Sequence, residues 1–339
     1  MRLRTTLRLL CGTLALSCFA GGGYTWAAAE EALPKGGVNI LVAGLDSRAG
    51  LNGWQRAQYN VGGVACGCTD TLMVVHLSAD GKRASVVSLP RDSYVKFAPH
   101  VDAWSGSKPV THYGKINAAR QHGGRQTAIR TVEQATGLDI HHYLETDIRG
   151  FIRTVDRLNG TKVCTKFPLH DANAGLNMST GTHYIKGKQA IRFVRARHIE
   201  GIGDIGRVRR QQGFMANLTG HKIESGALTN KPRFAKILSL MLKDVHKDTG
   251  TTFAELAQLG WQMRHLKMEN VEFATVPVSS IGYNAPGWGS SVKWSDERAA
   301  RLFGALRADK PMKNSDVRRP GSFADNFGKT IAGSKLMCR

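Results

Sequence analysis

Several things are missing from this 339-residue chain, and each absence narrows what it can do. No internal repeat is visible, which sets solenoids and propellers aside. Neither a GxSxG elbow nor an HExxH helix occurs, so familiar hydrolase and metalloprotease signatures are absent. The serines, cysteines and twelve histidines form no nucleophile–base set. His141, His142 and His198 read as surface or packing residues. There is no zinc-finger spacing and no interleaved aromatic–basic stripe, so no nucleic-acid partner is expected. Acids are scarce: 26 stand against 47 Lys and Arg, giving a net charge of +21. Such a chain meets anions, and with nucleic acid set aside these are anionic lipid, phosphorylated glycan or an acidic wall.

What is present begins with a core. At 42% hydrophobic, the chain can fill one large domain or two small ones. Arg2, Arg4 and Arg8 precede an uncharged run from Leu9 to Ala29. Its length suits a membrane-spanning helix with the N-terminus inside. Its Ala27-Ala28-Ala29 end also suits a cleaved signal. The anchor is the preferred reading, and both readings export residues 30–339. Cys66, Cys68, Cys164 and Cys338 would then lie in an oxidising place and form disulfides. The Cys66-Gly67-Cys68 spacing is too tight for an internal pair, so each is expected to close onto Cys164 or Cys338.

Strands are expected at 38–43, 71–77, 84–89, 140–145, 161–164 and 271–278. Helices are expected at 126–136, from the Asp147 cap through Leu158, and at 187–194, 206–220, 232–247, 252–264 and 295–307. Asp80-Gly81 marks a hairpin turn. The alternation points to an α/β fold, an α-β-α sandwich with a mixed central β-sheet. From about Lys310 the composition turns polar, and residues 310–339 read as a mobile tail. Residues 30–309 are the expected catalytic domain.

Acids and arginines carry the chemistry. Asp46 ends one buried strand and Asp70 begins another, and strand ends are where open α/β sheets place ligands. Two carboxylates meeting there repel unless a cation lies between them. Arg91 sits in Ser88-Leu89-Pro90-Arg91-Asp92. Arg195 and Arg197 are two apart, on one face of an extended segment, where paired guanidinium forks suit a diphosphate. Arg207 and Gln211 share a helical face. Gly201-Ile202-Gly203-Asp204-Ile205-Gly206 matches GxGxxG, but no strand precedes it. It serves better as a glycine loop bringing backbone N–H groups to phosphate at a helix start.

In this order, the motifs resemble those of the LytR–CpsA–Psr family of cell-wall phosphotransferases. The likeness runs from about Val38 to Leu218. It rests on Asn39 to Arg48, Asp70-Thr71-Leu72-Met73, Ser88 to Asp92, Lys115-Ile116-Asn117-Ala118-Ala119, Val194 to Arg197, and Gly206 to Gln212. The resemblance implies a membrane-anchored extracellular enzyme. It takes a glycopolymer from a polyprenyl-pyrophosphate carrier and transfers it as glycosyl phosphate to a hydroxyl of peptidoglycan. Asp46 and Asp70 would hold Mg²⁺, with Mn²⁺ as the alternative. Arg91, Arg195, Arg197, Arg207 and Gln211 would bind phosphate oxygens, Arg48 would stand at the entrance, and Asp92 would orient Arg91 or act as base. An apolar tunnel for the prenyl chain should lie beside them. Two other readings stand beside it: a phosphoanhydride hydrolase using the same site with water as acceptor, and a membrane-tethered binder that holds anionic wall polymer on its basic surface without turnover. One departure from many relatives is the 23-residue stretch between Asp46 and Asp70, which holds Cys66 and Cys68.

Overall fold

The computed structural model describes residues 33–62, 66–102, 106, 108–197, 199, 203–312, 327 and 329–338. The expected anchor at 1–29 lies outside them, as does His198. Among the described residues no helix is long and apolar enough to cross a membrane.

A central sheet organises the domain. Its strands lie side by side in the order His246–Lys247, His142–Thr146, Val38–Leu45, Thr69–Leu77, Ala84–Ser88, Val271–Thr275 and Ile331–Ala332. The Val38–Leu45 strand runs antiparallel to Thr69–Leu77 and parallel to His142–Thr146. Ala84–Ser88 is parallel to Val271–Thr275, so the sheet is mixed. The side-chain period of two sends alternate residues to opposite faces. Leu41, Ala43, Leu72 and Val74 pack with Val132, Leu302 and Phe303, from the helices Ala119–Thr136 and Asp296–Arg307. Ile40 and Met73 face the other way and pack with Ala216 of the Gly203–Glu224 helix. The result is the expected α/β arrangement around a mixed sheet. A second apolar cluster joins the helices Ile148–Arg157, Gly187–Arg195 and Gly203–Glu224 beside the sheet.

Several expectations need correction. The 232–247 helix stops at Leu242, because His246 and Lys247 pair with Glu145 and Leu144 at the sheet edge. Strand 271–278 ends at Thr275, and a hairpin of Val278–Ala285 and Gly289–Trp294 follows. Strand 161–164 lies outside the central sheet and pairs with Gly181–Ile185. The stretch after Asp46 contains a short helix, Gly53–Tyr59, opened by an Asn52–Gln55 capping box.

Part of the expected tail is built into the fold. Ile331 and Ala332 add an edge strand, and the Gly333–Leu336 helix follows. Asn217 grips the C-terminal end of this segment: its side chain donates to the Leu336 carbonyl at 3.1 Å and accepts from the Cys338 amide at 2.7 Å. The expected disulfide pairing is also overturned. Cys66 bonds to Cys68, and Cys164 to Cys338. Gly67, at φ +66, turns the chain tightly enough for its neighbours to meet.

Candidate functional site

The antiparallel pair of Val38–Leu45 and Thr69–Leu77 builds the first half of the site. Gly44 stands opposite Thr71 and Leu45 opposite Thr69, leaving Asp70 as the extra residue of a β-bulge. Bulges re-aim side chains at functional edges. One rung further, the Asp46 amide donates to the Cys68 carbonyl at 3.0 Å. Both acids thus reach the same cavity. Burial raises the pKa of Asp46, and the neighbouring Asp70 charge raises it further, against the pull of Arg48 and Arg195. Asp70 goes the other way. Burial opposes its charge, but Arg91, Arg207 and Arg197 outweigh that and hold its pKa down.

The cations come from three places. Arg91 follows Ala84–Ser88 in a turn closed by Ser93 N–H to the Pro90 carbonyl. Its Nη1 donates to Asp70 Oδ1 at 2.7 Å, and its Nε lies 3.4 Å from carboxylate oxygens of Asp92 and Asp204. Burial works against its charge, yet Asp70, Asp204 and Asp92 together raise its pKa. Arg195 ends the Gly187–Arg195 helix and donates to the Asn60 carbonyl at 3.0 Å. Arg197 lies two residues beyond, its amide held by Asp171 at 2.6 Å and its Nε 3.3 Å from Asp204. The two are therefore not neighbours on one extended segment, as expected, but they line the same cavity. Arg207 is nearly buried on the Gly203–Glu224 helix and lies 3.0 Å from Asp204. Burial pulls its pKa down to about 10, helped by Arg197 and Arg91.

Two clefts flank this polar centre. One holds about 860 Å³ of space between sheet and helices, walled by Val42, Ile148, Phe151, Ile191, Val194 and Phe214, with Asp46, Arg195 and Arg207 at its polar end. The other holds about 1000 Å³ and runs from Arg91 and Asp92 to Ile281 and Ser290 on the hairpin. Asp70, Arg207 and Gln211 border both.

A model of the LytR_cpsA_psr family matches residues 25–300. The chain belongs to that family. Among curated relatives, the cell wall biosynthesis protein LcpA of Corynebacterium glutamicum is 30% identical over 292 residues, covering 79% of this chain and 55% of that protein. A polyisoprenyl-teichoic acid–peptidoglycan teichoic acid transferase, TagU of Oceanobacillus iheyensis, is 26% identical over 214 residues, covering 63% of this chain and 59% of that protein. The chain therefore spans between half and two thirds of the length of these relatives. The crystal structure of B. subtilis TagV shares the fold, with a TM-score of 0.61 and 20% identity over 82% of this chain and all of that one.

In this member of the LytR_cpsA_psr family, Asp46, Asp70, Arg91, Arg195, Arg197 and Arg207 all line the central cavity. Gln211 borders the flanking clefts and donates to the Val194 carbonyl at 3.3 Å. Arg48 is not at an entrance. It is buried behind Asp46, 3.1 Å from its carboxylate. Asp92 lies 3.4 Å from both Arg91 and Lys115, which fits it to orient Arg91. Sequence reasoning missed Asp204, Lys115 and Asp171. For Asp204 a signal was present: an acid in the first turn of a helix, three residues before an arginine.

Proposed function

We propose that this chain transfers a glycopolymer, as glycosyl phosphate, from a polyprenyl-pyrophosphate carrier to a hydroxyl of peptidoglycan. The observation that carries the reading is the apolar cleft opening directly onto a ring of guanidinium groups. A lipid-linked diphosphate needs both surfaces at once. Family membership and the likeness to TagU, a teichoic acid transferase, support the same class of reaction. Residues 1–29 are proposed as the anchor that keeps the domain outside the membrane.

The prenyl chain would lie along Phe151, Ile191 and Phe214, where burying each CH₂ yields about 0.8 kcal/mol. Arg91, Arg195, Arg197 and Arg207 would hold the diphosphate oxygens with charge-assisted hydrogen bonds. The acceptor hydroxyl would enter through the cleft beside the hairpin and form the new P–O bond as the phosphoanhydride breaks. Polyprenyl phosphate would leave, and the hydroxyl proton would pass to it or to solvent. In a loose phosphoryl-transfer transition state the attacking hydroxyl needs positioning more than prior deprotonation. This agrees with Asp92 acting through Arg91. Asp46 and Asp70 fit a hard cation such as Mg²⁺ or Mn²⁺, since both carboxylates line one cavity, where burial and then the Asp70 charge raise the proton affinity of Asp46. Bound there, such an ion would neutralise diphosphate charge.

The test is incubation of the full-length chain with a synthetic prenyl-pyrophosphate sugar and peptidoglycan fragments, with and without Mg²⁺, read by mass. A sugar-phosphate adduct on the acceptor, lost in Asp70→Ala and Arg91→Ala, is expected. Release of sugar phosphate to water alone would replace the reading with hydrolysis. Wild-type product formation in both variants would remove these residues from the chemistry.

A further inference from the structure

We propose that His100, Asp102, His112 and His122 form a binding site for one Zn²⁺ ion, separate from the arginine ring. The four offer one ligand atom each, and these atoms all lie within 4.8 Å of one another. A tetrahedral Zn²⁺ holds its ligand atoms roughly 3.3–3.5 Å apart, as its bond lengths of about 2.0–2.1 Å require. The four therefore need to close by little more than 1 Å. Three imidazoles and a carboxylate are a zinc donor set. Mg²⁺ and Ca²⁺ prefer all-oxygen surroundings.

His100 gives an independent sign. Its side chain is only 1% exposed. Its Nδ1 donates to the Ala98 carbonyl at 2.8 Å, and in a neutral ring that puts the lone pair on Nε2. That Nε2 is buried without a hydrogen-bond partner and points at Asp102, 4.0 Å away. A bare acceptor at such depth costs free energy unless something positive meets it. The Nδ1–carbonyl bond is also the outer contact that orients metal-bound imidazoles. His112 repeats the pattern, with Nδ1 3.2 Å from the Tyr113 carbonyl. His122 and Asp102 already meet at 2.6 Å through a proton that a cation would displace.

The backbone is shaped for this meeting. The Ala119–Thr136 helix breaks at Gly123 and Gly124 just after His122. A Cβ on Gly123 would come within 2.7 Å of the His100 Cβ, so glycine is what lets the two histidines approach. Phe97 packs against the cluster at steep ring angles, 4.8 Å from the His112 ring and 5.5 Å from that of His122. Such an ion would tie the loop between Phe97 and His112 to the helix start. Just upstream, Asn117 N–H holds the Arg91 carbonyl at 3.2 Å and Ile116 N–H holds that of Ser93 at 2.8 Å. The site would thus brace the turn that presents Arg91.

The test is to strip the full-length chain with a chelator, titrate it with Zn²⁺ under competition, and record the visible spectrum with Co²⁺. One Zn²⁺ per chain with at most micromolar Kd, the intense bands of tetrahedral Co²⁺, and no displacement by millimolar Mg²⁺ are expected. His112→Gln, at the more open edge, should weaken binding about 100-fold or more while keeping the wild-type circular dichroism spectrum. Absence of stoichiometric uptake by the wild-type chain would overturn the proposal. So would unchanged affinity in His112→Gln, or an octahedral Co²⁺ spectrum. None of these readouts depends on transfer activity.

Discussion

Asp204 and Arg207 lie three residues apart on one helix and close a 3.0 Å ion pair beneath the guanidinium groups of Arg91 and Arg197. One carboxylate thus faces three cations, standing where the proposed diphosphate would bring its own negative charge. Removing it leaves the cations to repel one another. Asp204→Asn is expected to lower Tm by several degrees at low ionic strength, where exposed charges are least screened. Added inorganic pyrophosphate should restore most of the loss by mass action. Differential scanning calorimetry across a pyrophosphate series checks this. A variant as stable as wild type without the anion would contradict it.

Arg195 separates function from stability. Burial lowers its pKa, with Arg48 and Arg197 adding to the effect, so the fold itself disfavours its charge. Its one hydrogen bond, to the Asn60 carbonyl, is worth about 1 kcal/mol. Arg195→Ala should therefore keep Tm within a few degrees of wild type. Transfer should slow by about 10²–10³, the usual loss when a group that stabilises transition-state charge is removed. Calorimetry paired with a mass-based transfer assay decides, and wild-type turnover would exclude Arg195 from diphosphate binding.

Local chemistry decided what was legible in the sequence. The apolar, β-branched runs before Asp46 and after Asp70 gave the two central strands. Asp147 capping its helix was equally plain, accepting from Gly150 N–H at 2.7 Å. The acids and arginines could be read as a set because their order matched a family pattern. The bulge at Asp70 could not, since it exists only in the register of two strands. Asp204 was hidden inside a GxGxxG match. The His100–Asp102–His112–His122 cluster was hidden for a different reason: its members are spread over a loop, a strand edge and a helix, and only the Gly123 break brings them together. Cysteine pairing failed because Gly67 permits a turn that the spacing alone argued against.

The apolar cleft makes a claim about chain length. Val42 lines it from the central sheet. Val42→Trp would put an indole where the prenyl tail is proposed to run. Donors with a long prenyl chain should lose most of their turnover, while a donor with a short chain keeps it. Product yields across a donor series, measured by mass, give the comparison. Equal losses for all chain lengths would place the lipid elsewhere.

Glu145 tests the acid limb of stability. It is buried and accepts from Arg120, Arg125 and the Tyr143 hydroxyl. Burial alone would raise its pKa, but the hydrogen bonds from Arg120 and Tyr143, with both arginine charges, outweigh it and lower the value. The ionised carboxylate therefore stabilises the fold above its unfolded pKa of about 4.3, and this is lost as pH falls through the lower folded value. Glu145→Gln should cost about 2–4 kcal/mol at neutral pH by leaving two arginines unmatched. Urea melts should show the gap to wild type shrinking below about pH 4. A gap that stays constant down to pH 3 would mean that the charge is not what stabilises.

The Cys164–Cys338 bond should govern the C-terminal segment. It links residues 174 apart, so in the chain-entropy account it constrains the unfolded state by about 5 kcal/mol, of which about 2–4 kcal/mol is typically realised. Beside the bond, its strand pairs with Val271–Thr275 at Glu272 and Phe273, Asn217 binds Leu336 and Cys338, and Leu336 and Met337 pack against the cluster that holds Met73 and Ala216. Cys338→Ser is expected to lower stability by that amount and to speed amide exchange at Ile331 and Ala332. The Cys66–Cys68 bond closes a far smaller ring, and Cys66→Ser should cost less. Hydrogen exchange read by mass spectrometry distinguishes the outcomes. Equal protection at Ile331 with and without the bond would show that backbone pairing, Asn217 and apolar packing hold the segment without it.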